Sequence, residues 1–302
     1  MQSTVFLEKY NNCQLCARRC GVDRHVGEIG YCKMNATPFL SRAALHYWEE
    51  PIISGSNGSG TIFFSGCSLR CVYCQNREIS RGLCGVECDE EKISTIMLKL
   101  QEDGAHNINF VTPTHYAPSV VLATELARQK GLRIPIVYNT SSYETEETVR
   151  MLKTTVDIYL PDLKYYKKLT AEKLSSAADY CAVSQKAIEE MVKQKPEPII
   201  ENGLMKSGVV VRLLLLPMHL AEAKLNLKYL FERYGNSVYI SLMNQYTPVE
   251  GMQPPLDRRV SVSEYSELVS YAEKIGVVNA FVQERESASE SFIPPFDNTG
   301  VI

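Results

Sequence analysis

The sequence lacks several features that would place the protein in other functional classes. No apolar run reaches the roughly 18 residues of a membrane-spanning helix, and the N-terminal stretch does not follow the charged-then-apolar plan of a signal peptide. The net charge is only −3, so no broad basic surface favours nucleic acid or an anionic membrane. Internal repeats and low-complexity tracts are absent. We therefore expect a cytoplasmic protein that binds neither nucleic acid nor membrane.

Cysteine, by contrast, is plentiful, with ten in a chain of 302 residues. Without export signals, cysteines at this density indicate metal ligation and not disulfides. Hydrophobic residues make up 45% of the chain, which is enough to bury a substantial core. We expect one large domain with a small one beside it.

The central motif is a set of three cysteines, Cys67, Cys71 and Cys74, spaced C-x3-C-x2-C. It follows the apolar run Thr61–Ser65, which predicts a buried first strand. Three thiolates can hold three irons of a four-iron cluster and leave the fourth iron open to another ligand. A zinc knuckle or a set of buried thiols is the simpler alternative, but zinc sites favour four ligands in two C-x2-C pairs.

The longer string from Cys67 to Arg77 is similar to the signature of the radical S-adenosylmethionine (SAM) enzymes. Within that superfamily it resembles the glycyl-radical-enzyme activases, such as pyruvate formate-lyase activating enzymes, and an uncharacterised branch of their homologues with an N-terminal four-cysteine segment. The resemblance implies a [4Fe-4S] cluster on the three cysteines, with SAM as cofactor. It also implies that Tyr73 lies near the adenine and that Asn76 is a cofactor contact.

Beyond Thr61, short apolar runs alternate with helical stretches, which indicates βα units and a parallel sheet. Strands are expected at Thr61–Ser65, Asn107–Val111, Ile134–Tyr138, Val156–Leu160, Val209–Leu216 and Val238–Leu242, with a seventh apolar run at Val277–Val282. Helices are expected at Glu90–Glu102, Ser119–Lys130, Glu144–Leu152, Ala171–Lys193, Ala221–Tyr234 and Ser263–Lys274. The α/β class follows from this pattern, whereas the resemblance implies a partial (β/α)6 radical SAM barrel over residues 61–302 with a C-terminal extension.

Residues 1–60 are predicted to form a separate cysteine-rich segment. Its four cysteines are Cys13, Cys16, Cys20 and Cys32. A segment this small cannot form a sufficient hydrophobic core and needs a stabilising cross-link such as a bound metal. Tetrahedral zinc is the favoured metal, and a second iron–sulfur cluster is the alternative that the sequence leaves open.

Ligands of parallel α/β proteins lie at the carboxyl ends of the strands. The second strand is followed by Thr112-Pro113-Thr114-His115, where radical SAM enzymes typically carry Gly-Gly-Glu-Pro. The resemblance makes Thr112 and Thr114 candidate contacts to the methionine amino group of SAM, and His115 a possible acceptor. A proline-fixed turn with hydroxyl caps is the equally weighted alternative.

The next strand ends carry further candidates. Asn139 and Thr140 resemble the start of the activases' Asp-Thr-Asn-Gly, and the run from Asp162 to Lys164 matches their Asp-Leu-Lys. A carboxylate suits ribose hydroxyls or a monovalent cation, and an ammonium suits the methionine carboxylate. Arg212 lies within an apolar strand and must be paired. Its partner is a SAM or substrate carboxylate, or a structural ion pair.

Several other residues are given structural roles. His46, Trp48, Glu49 and Glu50 are expected to pack between the N-terminal segment and the barrel. Cys84 and Cys88 are expected to be free thiols, and Cys181 to be a packing residue.

The resemblance implies an oxidoreductase that reductively cleaves SAM to a 5′-deoxyadenosyl radical, which then abstracts a hydrogen. The leading prediction is a glycyl-radical-enzyme activase, with a protein substrate and a flavodoxin- or ferredoxin-type electron donor as partners. Hydrogen abstraction from a small molecule or peptide is the first alternative. A non-catalytic iron–sulfur or zinc scaffold is the second, because the Gly-Gly-Glu motif is missing.

Overall fold

The computed structural model describes residues 3–283 and 293–302. Its strands are β1 Phe39–His46, β2 Ser59–Phe64, β3 Val86–Glu87, β4 Ile108–Val111, β5 Ile136–Thr140, β6 Ile158–Pro161, β7 Ile199–Glu201, β8 Leu204–Leu214, β9 Tyr239–Met243 and β10 Ala280–Val282. Its α-helices are α1 Pro51–Ser54, α2 Arg77–Ser80, α3 Glu90–Glu102, α4 Ala117–Gln129, α5 Glu146–Met151, α6 Lys168–Ser175, α7 Tyr180–Gln194, α8 Leu220–Tyr234 and α9 Val262–Ile275. Two 3₁₀ helices span Ser3–Tyr10 and Thr114–Tyr116.

The strands form one sheet in the order β10-β9-β8-β6-β5-β4-β2-β1-β3, with β7 paired to β8. Every pair from β2 to β10 along this order is parallel, whereas β1, β3 and β7 pair antiparallel with their neighbours. Each parallel strand lies beside the next one along the chain, and the sheet does not close. The predicted α/β partial barrel is therefore confirmed.

The central parallel strands are buried on both faces and are mainly apolar, with polar residues concentrated in β2 and β5. Every residue of β2, β4, β5 and β6 is buried. This pattern is typical of a parallel sheet with helices on its outer face and side chains filling its inner face. The carboxyl ends of these strands consequently meet at one rim, where the loops carry the polar residues.

The helix predicted over Ala171–Lys193 is wrong in one respect, because it is two helices. Helix α6 ends at Ser175, and the next residue, Ser176, adopts a left-handed backbone conformation with φ of 47°. The next helix, α7, begins at Tyr180, whose hydroxyl accepts a hydrogen bond from the backbone of Lys164 and donates to the carbonyl oxygen of Asp162. The break between the two helices thus places Tyr180 where it supports the loop after β6. Apolar periodicity in the sequence does not reveal this break.

The first 60 residues pack against the barrel and also extend its sheet. Strand β1 pairs with β2 from Leu40 to His46. The hydroxyl of Tyr10 lies 2.9 Å from that of Ser119 on α4. The division at residue 60 stays a prediction, but the sheet itself begins before it. In the part of the chain that the structure describes, we find no helix with the length and apolar character needed to span a membrane.

Candidate active site

A cavity of about 240 Å³ lies at the carboxyl ends of the parallel strands. Its lining includes Val111 at the end of β4, Leu214 at the end of β8 and Met243 at the end of β9. It also includes six of the residues predicted to bind the cofactor: Tyr73, Asn76, Asn139, Asp162, Lys164 and Arg212. Two of the three motif cysteines, Cys71 and Cys74, line the same cavity. The fold therefore gathers residues from separate loops around one space.

The cysteine loop turns sharply as it leaves β2. Gly66 has φ of 86°, and a Cβ atom there would lie 2.4 Å from Met34, so only glycine fits. Arg70 also adopts a positive φ, of 54°. This turn directs two backbone N–H groups at the sulfur of Cys67: those of Leu69 and Arg70, at 3.4 and 3.5 Å.

Cys71 accepts a hydrogen bond from a chain of hydroxyl groups. The Oγ of Ser175 donates to the Sγ of Cys71 at 2.9 Å and lies 2.6 Å from the hydroxyl of Tyr165. Tyr165 in turn donates to the hydroxyl of Tyr73 at 2.9 Å. The residue predicted to lie near adenine is thereby held in place by a network that also touches a motif sulfur.

The chemistry of this donor set fits an iron–sulfur cluster. Cys67 and Cys71 are buried, Cys74 is nearly so, and all three lie on one short loop. Burial raises the pKa of Cys67 to about 12 and also raises the pKa of Cys74. Donors aimed at sulfur stabilise thiolate ligands, and they tune the potential of a bound cluster. Cys67, Cys71 and Cys74 would hold the cluster.

Four charged side chains that line the same cavity form a network. Arg212 donates to Asp162 at 2.8 Å, to Asn139 at 2.5 Å and to Glu49 at 3.3 Å. Lys164 donates to the other oxygen of Asp162 at 2.6 Å. Burial favours the neutral acid, but Arg212 and Lys164 outweigh it and hold the pKa of Asp162 below its usual value. Arg212 is thus paired within the protein.

Glu49 is the site residue that sequence reasoning missed, since it was predicted to pack between the N-terminal segment and the barrel. Its carboxylate accepts from the side-chain amides of Asn109 at 2.9 Å and Asn139 at 3.2 Å. Burial raises its pKa. Glu49 and Arg212 are 163 positions apart, so no local spacing relates them. The available signal was a pair of adjacent carboxylates, Glu49 and Glu50, directly before the helix-starting Pro51.

Three predicted contacts do not line the cavity: Thr112, Thr114 and Thr140. The hydroxyls of Thr114 and Thr140 lie 3.2 Å apart, and Thr140 donates to buried Glu144 at 3.0 Å. Burial raises the pKa of Glu144 to about 7. Thr112 has φ of 58° at the turn after β4. A role for these three residues in SAM binding stays a prediction.

His115 lies beneath the cysteine loop instead of in the cavity. Its Nε2 is 2.7 Å from the carbonyl oxygen of Ser65. Burial lowers its pKa to about 3, with a smaller contribution from Arg24, so the ring is neutral. It supports the turn at Gly66, where a Cβ atom would lie 3.0 Å from that ring nitrogen.

The four N-terminal cysteines lie near one another. Cys13, Cys16 and Cys32 are buried and Cys20 is exposed. Burial raises the pKa of Cys16 to about 12, and the other three thiols add to the effect. A Cβ atom at residue 30 would lie 2.9 Å from the sulfur of Cys20, so Gly30 leaves the space that this thiol uses.

The thiol clustering alone does not establish a metal. Within residues 3–283 and 293–302, no group of three or more His, Cys, Asp or Glu side chains is arranged to hold a single metal ion. The zinc site, the second cluster and the monovalent cation all stay predictions. The remaining cysteines are also unpaired: Cys84 and Cys181 are partly buried and Cys88 is buried, and none forms a disulfide.

The N-terminal segment contacts the cysteine loop directly. Arg18 donates to the carbonyl oxygens of Ser68 at 2.9 Å and Ser175 at 2.8 Å. The hydroxyl of Tyr31 donates to the carbonyl oxygen of Leu69 at 3.4 Å. The two cysteine sets therefore belong to one packed unit.

Comparison with known proteins agrees with this arrangement. Residues 61–206 match the model of the radical SAM superfamily. An uncharacterized protein of Methanocaldococcus jannaschii, MJ0674, is 28% identical over 279 residues, which is 88% of this chain and 75% of that protein.

Two solved structures share the fold. One is native anSMEcpe with bound AdoMet, with a TM-score of 0.50, 16% identity, and coverage of 70% of this chain and 57% of that chain. The other is methylornithine synthase (PylB), with a TM-score of 0.50, 14% identity, and coverage of 72% and 61%. The match therefore spans less than two thirds of either neighbour. The cysteine motif, the partial barrel and the family match together make residues 61–206 of this chain a radical SAM domain.

Proposed function

We propose that the protein cleaves SAM reductively and uses the resulting radical to abstract a hydrogen atom from a substrate. The observation that carries this proposal is the common cavity, which brings the motif cysteines together with a buried network of opposite charges. The superfamily match and the AdoMet bound to a neighbour of the same fold support it. The missing Gly-Gly-Glu motif does not by itself favour a scaffold, because other polar groups line the cavity.

The residues divide the work in the following way. Cys67, Cys71 and Cys74 would hold the cluster, which when bound would supply the electron that reduces the sulfonium of SAM. Lys164 provides a cation for the methionine carboxylate, and Asp162 provides an acceptor for ribose hydroxyls, while Arg212 holds Asp162 and Glu49 in place.

The buried walls of the cavity exclude water. Tyr73 is 5% exposed and packs edge-on against Tyr246, with ring centroids 6.1 Å apart. Phe63 adds a further apolar face. Such walls keep a reactive radical away from solvent and protect it from side reactions.

The substrate class follows the resemblance. A glycyl-radical enzyme as the partner protein is the leading prediction, with a flavodoxin- or ferredoxin-type donor supplying electrons. A small molecule or peptide is the second candidate. A further cavity beside the site favours this candidate. The N-terminal cysteines are proposed to hold zinc, with a second cluster as the alternative.

Anaerobic incubation of reconstituted protein with SAM and dithionite tests the proposal. We expect 5′-deoxyadenosine and methionine, together with a SAM-dependent change in the electron paramagnetic resonance spectrum of the reduced cluster. Replacing Cys67, Cys71 and Cys74 together by Ala should abolish both, whereas Cys181→Ala is the matched control and should keep both. An absence of 5′-deoxyadenosine with a fully loaded cluster would favour the scaffold.

A further inference from the structure

A second cavity, of about 450 Å³, lies against the active-site cavity. We call it the lateral cavity; its lining includes Tyr47, Trp48, Glu50, Ser241 and Phe281. Phe281 lies on β10, at an edge of the open sheet. Glu49 and Arg212 line both cavities, so they form the wall between them. The lateral cavity is lined by neither Cys71 nor Cys74 and is therefore distinct from the cofactor side.

Glu50 is the unusual residue of the lateral cavity. The residue is only 8% exposed, and its Oε2 atom has no hydrogen-bond partner among the described residues. A buried acceptor without a partner is costly, and natural proteins rarely leave one without a ligand or water. The charge of Arg212 favours the ionised form of Glu50, with smaller contributions from a backbone hydrogen bond and the hydroxyl of Ser241, but none of these gives Oε2 a hydrogen-bond partner among the described residues.

The local charges are also unbalanced. Three buried carboxylates, those of Glu49, Glu50 and Asp162, face two cations, those of Lys164 and Arg212. Asp162 is in contact with both cations, and Glu49 with Arg212. Of the three carboxylates, Glu50 is the one for which the described residues provide no ion pair. Burial accordingly raises the pKa of this carboxyl.

We propose that the lateral cavity binds the substrate through a protonated amine that pairs with Glu50, an inference that rests on the proposed function. One unpartnered oxygen beside one hydroxyl suits a compact ammonium, whereas the planar fork of a guanidinium needs two parallel acceptors. A quaternary ammonium lacks the donor that Oε2 requires. The amine's apolar stem would lie along Phe281 and Met243, toward the cofactor side.

Two aromatic residues add to the fit at the cavity mouth. Tyr47 and Trp48 are 51% and 59% exposed, and both line the lateral cavity. Aromatic faces attract cations as they leave water. The amine is either a small molecule or a lysine side chain of a peptide, and both share this chemistry.

The sole tryptophan of the chain, Trp48, lines both the lateral cavity and the active-site cavity, so its fluorescence reports on the lateral cavity when saturating SAM occupies the other. Reconstituted protein with saturating SAM would be titrated with pentylamine, with pentanol as the neutral counterpart, while fluorescence excited at the tryptophan edge is followed. We expect saturable binding of the amine and at least roughly tenfold weaker binding of the alcohol, the size of one charge-assisted contact. N-acetyl-lysine methylamide carries the same amine on a peptide backbone. Tighter binding of this probe than of pentylamine would indicate a peptide as the source of the amine, and weaker binding would indicate a small molecule.

Glu50→Gln should weaken amine binding about tenfold and leave pentanol unaffected, with exposed Glu201→Gln as the control. Equal affinity for amine and alcohol, no saturable binding, or no effect of Glu50→Gln in a folded protein would overturn the proposal. The comparison of pentylamine with pentanol uses the unmodified protein. It therefore tests the proposal even if Glu50→Gln does not fold. Formation of 5′-deoxyadenosine in the same samples tests SAM cleavage separately.

Discussion

The guanidinium of Arg212 and the carboxylate of Asp162 join the ends of two neighbouring parallel strands, with Nε donating to Oδ1 across 2.8 Å. Both side chains are largely buried. Because this pair occupies one oxygen of Asp162, only the other oxygen is left for Lys164. Arg212 therefore fixes the wall of the cavity, and Lys164 is free to exchange partners when a carboxylate arrives.

Replacing Arg212 by Met should destabilise the fold by about 3–5 kcal/mol, because it leaves buried Glu49 without its cation and buried Asp162 with Lys164 alone. Denaturant unfolding of the two proteins measures the difference. Arg233→Met is the control, since Arg233 pairs with Glu189 on the exposed surface, and its loss should leave the free energy of unfolding nearly unchanged. Equal losses in the two variants would mean that the buried network is not what stabilises the site.

Lys164→Ala should weaken SAM binding by roughly 1.5–3 kcal/mol, or about one to two decades in affinity, because a charge-assisted contact is lost. The cluster should stay loaded, since Lys164 contacts Asp162 and no motif sulfur by hydrogen bond. Titrating SAM against the reduced cluster by electron paramagnetic resonance gives both affinities. Exposed Lys173→Ala is the control, and an unchanged affinity in Lys164→Ala would remove Lys164 from the SAM site.

Ser175→Ala should lower the reduction potential of the cluster. The hydroxyl donates to the sulfur of Cys71 at 2.9 Å, and such donors stabilise the more negative, reduced state. A hydrogen bond of about 0.5–1.5 kcal/mol corresponds to roughly 20–60 mV for one electron. A redox titration of the cluster signal measures the shift. Ser184→Ala, whose hydroxyl bonds only the backbone of Cys181, should leave the potential in place.

Cys16→Ala or Cys32→Ala should reduce stability and solubility more than they reduce SAM cleavage. A metal ion bound by four thiolates contributes folding free energy to a segment that has little hydrophobic core of its own. Thermal unfolding and 5′-deoxyadenosine formation measure the two effects, with Cys181→Ala as the control. Metal analysis should give about one zinc per chain beside the cluster iron, and about eight irons without zinc would indicate a second cluster.

Glu264→Gln should cost about 0.3–1 kcal/mol at neutral pH, because it keeps the capping box at the start of α9 but removes the negative charge there and its ion pair with Arg258. Arg258 holds the pKa of Glu264 below its usual value, so the charged form stabilises the folded state. That contribution is complete above the unfolded pKa of about 4.3 and is lost as the pH falls below it. The difference in unfolding free energy should therefore shrink in acid, and exposed Glu273→Gln on the same helix should show no such trend.

The sequence by itself determined the α/β class, the parallel sheet and the three-cysteine loop. These follow from local information: apolar runs of strand length, helical periodicity between them, and a motif whose members lie within eight positions of one another. Helix α3 was predicted with the boundaries that the structure has, because Asp89 caps its start and apolar periodicity marks its length.

Only the tertiary structure decided which side chains share the cavity. Glu49 meets Arg212 and Asn139 through the path of the chain from β1 into α1, and no local pattern encodes that meeting. Thr114 and Thr140 turn toward Glu144 because buried hydroxyls must find partners, which draws them away from the cavity. Local patterns specify elements, whereas long-range packing and the pairing of buried charge specify the site.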